Sequence, residues 1–191
     1  FLSPPRGRNK NWILFPEKIT GKFALLHNLH AADNEHVRVE YFDEIETPSH
    51  LALFESPDPQ AAPNNIIGWH NHMRSAGAPP IKTKDGWLLF YHAMDKDDPN
   101  RYKVGALLLD LKDPTKILYR SDRPVLEPDA WYENDWKPGI IYASGAAVVG
   151  KDLFVYYGGG DKHIAAARAN LRDFLDRLTN HKHAVLTPLK V

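Results

Sequence analysis

Two lysines stand at matching places ahead of aromatic segments that each end in a histidine. Lys18 precedes Gly21-Lys-Phe-Ala-Leu-Leu-His27, and Lys82 precedes Gly86-Trp-Leu-Leu-Phe-Tyr-His92. Ammonium groups and free backbone N–H groups both favour phosphate, so these lysines meeting at the small-residue turn Ser144-Gly145 would make an anion site. His27, His30 and His92 lie at or just past the same segments. An imidazole there could bind phosphate or a sugar hydroxyl, neutral or charged near pH 7. Asp161 follows Tyr156-Tyr-Gly-Gly-Gly160, where glycines let a ligand approach the backbone and the carboxylate can accept sugar hydroxyls. Plainer readings stay open: the lysines as turn residues, His27 as a core histidine, Asp161 as a solvated turn residue.

Other chemistries find less support. Trp69-His-Asn-His72 would put two imidazoles on one side of a strand, but a metal centre needs a third ligand, so no metal is expected. No Gly-x-Ser-x-Gly elbow supports a serine nucleophile. Glu17, Asp85 and Asp161 are the best-placed carboxylates, and none has a carboxylate mate for paired-acid glycoside cleavage. The glycines before Asp161 lack the following helix of a dinucleotide fingerprint.

The elements that must position these residues are strands. Short aromatic or β-branched runs bounded by Gly, Pro, Asp or Asn predict strands at 12–15, 22–27, 37–42, 50–54, 87–92, 102–109, 116–119, 146–149, 153–157 and 164–169. Asn170 is placed to cap a helix whose apolar stripe is Leu171, Phe174, Leu175 and Leu178. His27 and His92 are 65 positions apart, and the same step from Tyr91-His92 lands on Tyr156-Tyr157. Each copy follows a polar turn, at 20–22, 84–86 and 150–152. The repeat predicts blades of a β-propeller, about three in this chain, whereas closed propellers have roughly four to eight. Either the chain is part of a longer one, or another chain completes it, or the repeat is a coincidence within a β-sandwich. Proline-rich stretches at 56–63, 95–100 and 127–138 are expected to be inter-strand loops.

Composition excludes several partners. Lys+Arg and Asp+Glu balance at 24 each, so no global field favours nucleic acid or an acidic membrane. Zero cysteines exclude disulfides and thiolate metal sites and fit a reducing compartment, with a cytoplasmic location expected. No apolar run is long enough for a membrane span. The five Trp, eight Tyr and eight Phe suit β-rich cores and sugar-stacking surfaces alike.

The same segments resemble glycoside hydrolase family 130, mostly β-mannoside phosphorylases with some β-mannosidases. The likeness runs through Leu14-Phe-Pro-Glu-Lys18, Gly77-Ala-Pro-Pro-Ile-Lys-Thr83 with Gly86-Trp-Leu-Leu-Phe-Tyr-His92, Val104-Gly-Ala-Leu-Leu-Leu-Asp110, Val125-Leu-Glu-Pro128 and Tyr156-Tyr-Gly-Gly-Gly-Asp161. It implies an all-β, five-bladed propeller, of which residues 1–191 form the C-terminal part: about three blades plus a C-terminal helix. The implied reaction is inverting phosphorolysis of a β-mannosyl bond, giving α-mannose 1-phosphate. By this resemblance Lys18, Lys82 and His92 hold phosphate, Tyr91 lies beside them, and Asp161, with Tyr91 and His27, contacts sugar. Phosphate is a co-substrate, no cofactor is implied, and the partners are small-molecule mannosides, with self-association left open. The family's Glu-Asp-Pro-Arg motif, which carries the general acid, is absent here, so no catalytic residue is expected in this chain. Leu26-His-Asn-Leu29 stands where the family often has Leu-His-Arg-Pro, and Gly158-Gly-Gly-Asp-Lys162 where it has Gly-Ala-Ala-Asp-Thr. Fewer basic residues keep a water-using β-mannosidase open, and a non-catalytic carbohydrate-binding fragment is the third reading.

Overall fold

The computed structural model describes residues 12–27, 38–44, 68–70, 72–95 and 97–189. His30, the strand expected at 50–54 and the loop expected at 56–63 lie outside them. Three antiparallel sheets and one helix make up the described fold. The first sheet holds β1 (Ile13–Leu14), β2 (Phe23–His27) and β3 (Arg38–Phe42), in that order. In the second, β4 (His72–Ala76) and β5 (Ile81–Lys82) both pair with β6 (Trp87–Asp95), followed by β7 (Asp98–Leu109) and β8 (Ile117–Arg120). The third runs β9 (Ile141–Val149), β10 (Asp152–Gly159), β11 (His163–Asn170) and β12 (Thr187–Pro188).

The three aromatic segments of the repeat become β2, β6 and β10, the second strand of each sheet. Leu25 pairs with Leu14, Trp87 with Lys82 and Val155 with Ala146. The preceding turns need left-handed backbone, supplied by Thr20-Gly21 at φ 51° and 86° and by Gly150 at 63°.

Strand composition records how many faces each sheet buries. Every residue of β6 from Trp87 to Met94 is buried. Trp87, Leu89, Tyr91 and Ala93 enter the core shared with the first sheet, and Leu88 and Phe90 enter the core shared with the third. A strand covered on both sides has no solvent face to mark with polar residues. In β10 the pattern alternates instead: Leu153, Val155 and Tyr157 face the second sheet, while Tyr156 is 45% exposed on the other side.

Asn170 caps α1 (Leu171–Thr179) by accepting from the Asp173 amide at 3.2 Å, and Phe174, Leu175 and Leu178 are buried in the core between the second and third sheets. Among the described residues no helix is long and apolar enough to cross a membrane.

Two local expectations are corrected. Ser144-Gly145 is not a turn but the middle of β9, with Gly145 opposite Tyr156 and a register shift between Tyr156 and Tyr157. Ser144 falls at that irregularity, and a Cβ on Gly145 would meet Tyr156 only at an ordinary 3.7 Å, so the pair bends a strand rather than ending one. The stretch 95–100 is mostly strand, since β7 begins at Asp98 despite Pro99. The short strands β4, β5 and β12 carried too few residues to show a period.

Candidate functional site

Lys82 closes β5 with its ammonium on the carboxylate of Glu17, both side chains about half exposed at 52% and 47%. The partners are 65 positions apart, the step of the repeat, so equivalent points of two sheets meet there. Lys18 faces elsewhere: its Nζ lies 4.3 Å from the Phe23 ring centre and donates to the Asp43 carbonyl at 3.5 Å. Ser144-Gly145, held within β9, completes no turn around them.

His92 is fully buried. Its Nε2 accepts the Ala143 amide N–H at 2.7 Å, which requires that nitrogen to be unprotonated, and its ring stacks on Tyr142 at 4.1 Å. Gly77 makes this approach possible, because a Cβ there would collide with the Ala143 carbonyl and come within 2.8 Å of Tyr142. His92 thus ties the second sheet to the third.

Tyr91, the preceding residue, points the opposite way into the core of the first and second sheets. Its hydroxyl is 3.2 Å from His70 Nδ1, Trp69 stacks on its ring at 6.0 Å, and the Arg120 guanidinium lies 5.7 Å from the ring centre. Burial pushes the Tyr91 hydroxyl up to about 12, with Arg120 opposing. Burial, then Arg120, holds His70 down to about 4, against a smaller pull from Asp122. His27 ends β2 opposite Arg38.

Asp161 occupies the β10–β11 turn at φ 54°, a left-handed conformation that Asp tolerates, and takes a 2.6 Å ion pair from Lys137. His92 belongs near it: Tyr142 and Ala143, which touch His92, pair with Gly158 and Tyr157 just before that turn. Lys82 does not. It pairs with Trp87, and His92 lies five residues further along β6, roughly 17 Å away. The fold therefore separates a Lys82–Glu17 pair from a His92–Tyr142–Asp161 group.

Sequence reasoning missed the network that shapes this second group. A 3-10 turn (Trp131–Glu133) buries Glu133 completely. Its Oε2 accepts the Ala130 amide at 2.7 Å and its Oε1 accepts the Tyr157 hydroxyl at 2.7 Å, leaving Tyr132 to donate to Tyr157 at 3.0 Å. Burial first, then these two partners, raises the Tyr157 hydroxyl well above the ordinary tyrosine value. Gly159 and Gly160 pass close beneath, where a Cβ would stand 3.2 Å from Tyr132. Nearby, Lys162 and then His163 hold the Asp135 carboxyl below the usual carboxylate range, at 2.7 and 2.9 Å. Tyr142 was reachable from sequence, as Gly77 plus the repeat step of 65. Nothing in the sequence marks Glu133 as buried. Among the described residues no three His, Asp or Glu side chains gather as a metal site, and His70 is engaged with Tyr91.

Residues 6–180 match the family model for glycoside hydrolase family 130, described as β-1,4-mannooligosaccharide phosphorylase. A 1,2-β-oligomannan phosphorylase of Thermoanaerobacter sp. (strain X514) is 38% identical over 166 residues, 86% of this chain and 52% of that protein. A β-1,2-mannobiose phosphorylase of Listeria innocua serovar 6a is 34% identical over 183 residues, 89% of this chain and 46% of that protein. The solved β-1,2-mannobiose phosphorylase from Listeria innocua, in complex with β-1,2-mannobiose, superposes with a TM-score of 0.67 at 30% identity. That match covers 91% of this chain and 47% of the other. A glycosyl hydrolase from Bacteroides ovatus shares the fold at a TM-score of 0.66 and 20% identity, covering all of this chain and 55% of that one. The chain spans about half the length of the curated relatives it matches.

Proposed function

The chain belongs to glycoside hydrolase family 130, and on that premise we propose that the protein of which it is part is an inverting β-mannoside phosphorylase. In this reading the whole is a five-bladed propeller, to which residues 1–191 contribute about three C-terminal blades and the helix. The observation that carries it is the 38% identity, over 86% of this chain, to a 1,2-β-oligomannan phosphorylase.

Phosphate attacks the anomeric carbon on the face opposite the leaving sugar. The C1–O bond to that sugar breaks, a general acid outside these 191 residues gives the leaving oxygen its proton, and α-mannose 1-phosphate results. This chain's part is positioning and charge compensation. Asp161 accepts sugar hydroxyls at the β10–β11 turn, while Tyr91, buried in the core of the first two sheets, supports the strand that carries His92 rather than touching sugar. Lys82, roughly 17 Å along β6 from His92, draws phosphate towards the site by exchanging the Glu17 carboxylate for the incoming dianion. Lys18, turned onto Phe23 and Asp43, adds only longer-range attraction. His92, with Nε2 committed to Ala143, holds Tyr142 in place. Phosphate is the co-substrate, and the reaction calls for no metal or organic cofactor.

A β-mannosidase is the second reading, and one observation favours it: Glu17 already neutralises Lys82. Incubation of the purified protein with β-1,2- and β-1,4-mannobiose, with and without phosphate, separates the two. α-Mannose 1-phosphate formed only when phosphate is present is the expected result, and equal mannose release without phosphate would establish hydrolysis instead. Lys82→Ala is expected to raise KM for phosphate about tenfold or more, the loss of one charge-assisted contact.

A further inference from the structure

Among the described tryptophans, Trp131 and Trp136 stand out in solvent, 71% and 66% exposed, while Trp87 is 1% exposed. Leaving indoles in water forgoes the burial that draws most large aromatic side chains inside. Both sit on the segment that packs over the Asp161 turn, where the Lys137 amide donates to the Gly160 carbonyl at 3.0 Å. The segment is held firmly by the buried Glu133, whose two oxygens are both occupied. Asn134 adds bonds to the Pro128 and Ala130 carbonyls at 3.0 and 2.8 Å and accepts the Gly139 amide at 2.9 Å. Burying a carboxylate is tolerated only when it is fully bonded, so this network imposes one loop shape. Trp131 is further oriented edge-on against His163, with ring centres 5.3 Å apart.

A rigid loop presenting open indole faces is prepared for a flat apolar surface that brings its own hydroxyls. The polar groups alongside are two ion pairs, Lys137 with Asp161 and Lys162 with Asp135. They supply donors and acceptors with no net charge, which suits a neutral polyhydroxyl ligand and disfavours an anionic partner. We propose that Trp131 and Trp136 form a stacking platform for further pyranose units of a manno-oligosaccharide, continuing outward from the sugar at Asp161. This rests on the mannoside reading above and adds that the preferred substrate is longer than a disaccharide.

Calorimetric titration of the purified protein with manno-oligosaccharides of two to four units tests it, beside Trp131→Ala, Trp136→Ala and Trp131→Phe. Affinity of the unchanged protein should rise with chain length. Each alanine variant should lose about tenfold for the tetrasaccharide and little for the disaccharide, with Trp131→Phe restoring part of the loss. Equal affinities in all variants would overturn the proposal, as would a uniform loss for every length with a lowered melting temperature. So would failure of acrylamide to quench these indoles without sugar, which would show them covered by protein. Phosphate consumption measured in parallel keeps the two readings apart: length-dependent binding without phosphate consumption retires the phosphorylase and leaves the platform standing.

Discussion

The two cores on either side of the second sheet are pinned by different means, though both grow from the same strand. Towards the third sheet, polar groups are bonded within the core: His92 reaches across to the Ala143 amide, and Tyr157 is bonded to Glu133 and Tyr132 of the 3-10 turn. The helix α1 adds Phe174, which meets Phe90 edge-on at 6.0 Å. Towards the first sheet, the contacts are larger and looser in polarity. Trp87 meets Phe15 edge-on at 5.2 Å, Trp69 keeps a buried Nε1 with no partner among the described residues, and His70 lies in a site that resists its protonation. Sheets stacked by repetition share apolar filling, and the bonds that fix their spacing are particular to each interface.

The sharpest way to break this contrast is to add one methyl on each side. Gly77→Ala drives a Cβ into the backbone carbonyl of Ala143, which cannot move without shifting β9, whereas Gly105→Ala meets the ring of Tyr91, a side chain. Gly77→Ala is expected to cost about 4 kcal/mol or to prevent folding, and Gly105→Ala about 2–3 kcal/mol, in urea unfolding. Equal costs would mean that the two interfaces are equally rigid.

A middle-sized effect is expected from pH. The folded pKa of His70 lies below its ordinary 6.5, so the neutral ring is the one the fold accepts. Its contribution is complete above pH 6.5 and is lost as pH falls from 6.5 towards 4, by up to about 3 kcal/mol. Stability measured across that window should therefore slope downward on acidification, and His70→Gln should flatten the slope. An unchanged profile in the variant would remove His70 as its cause.

The smallest effect concerns the ion pair at the solvent edge. Lys82→Ala and Glu17→Ala should each change stability by less than about 1 kcal/mol, because half-exposed pairs contribute little against water and salt. A loss of several kcal/mol would make the pair a structural clamp between the first two sheets and weaken its assignment to phosphate.

Much of the architecture was legible. The unbroken apolar run of β6 and the alternation in β10 reflect burial on two faces and on one, and the repeat step of 65 places β2, β6 and β10 at equivalent positions. The candidate site was legible only as residue types. Lys82 and His92 share one short hairpin in sequence, yet the length of β6 keeps them apart and the two faces of the strand send Tyr91 and His92 into different cores. The Ser144-Gly145 pair looked like a turn because small residues serve both turns and strand irregularities, and here they sit at the register shift of β9.

By itself the sequence determined the turns ahead of β2, β6 and β10, where strands alternate and where α1 begins, because turn chemistry, side-chain period and Asn170 capping act over a few residues. Tertiary structure alone decided which polar groups left water. Glu133 is buried because Tyr157, 24 positions away, arrives to bond it, and His92 is neutral at Nε2 because Ala143, 51 positions away, supplies an amide. Desolvation depends on everything packed around a group, and that is assembled from segments the local sequence never sees.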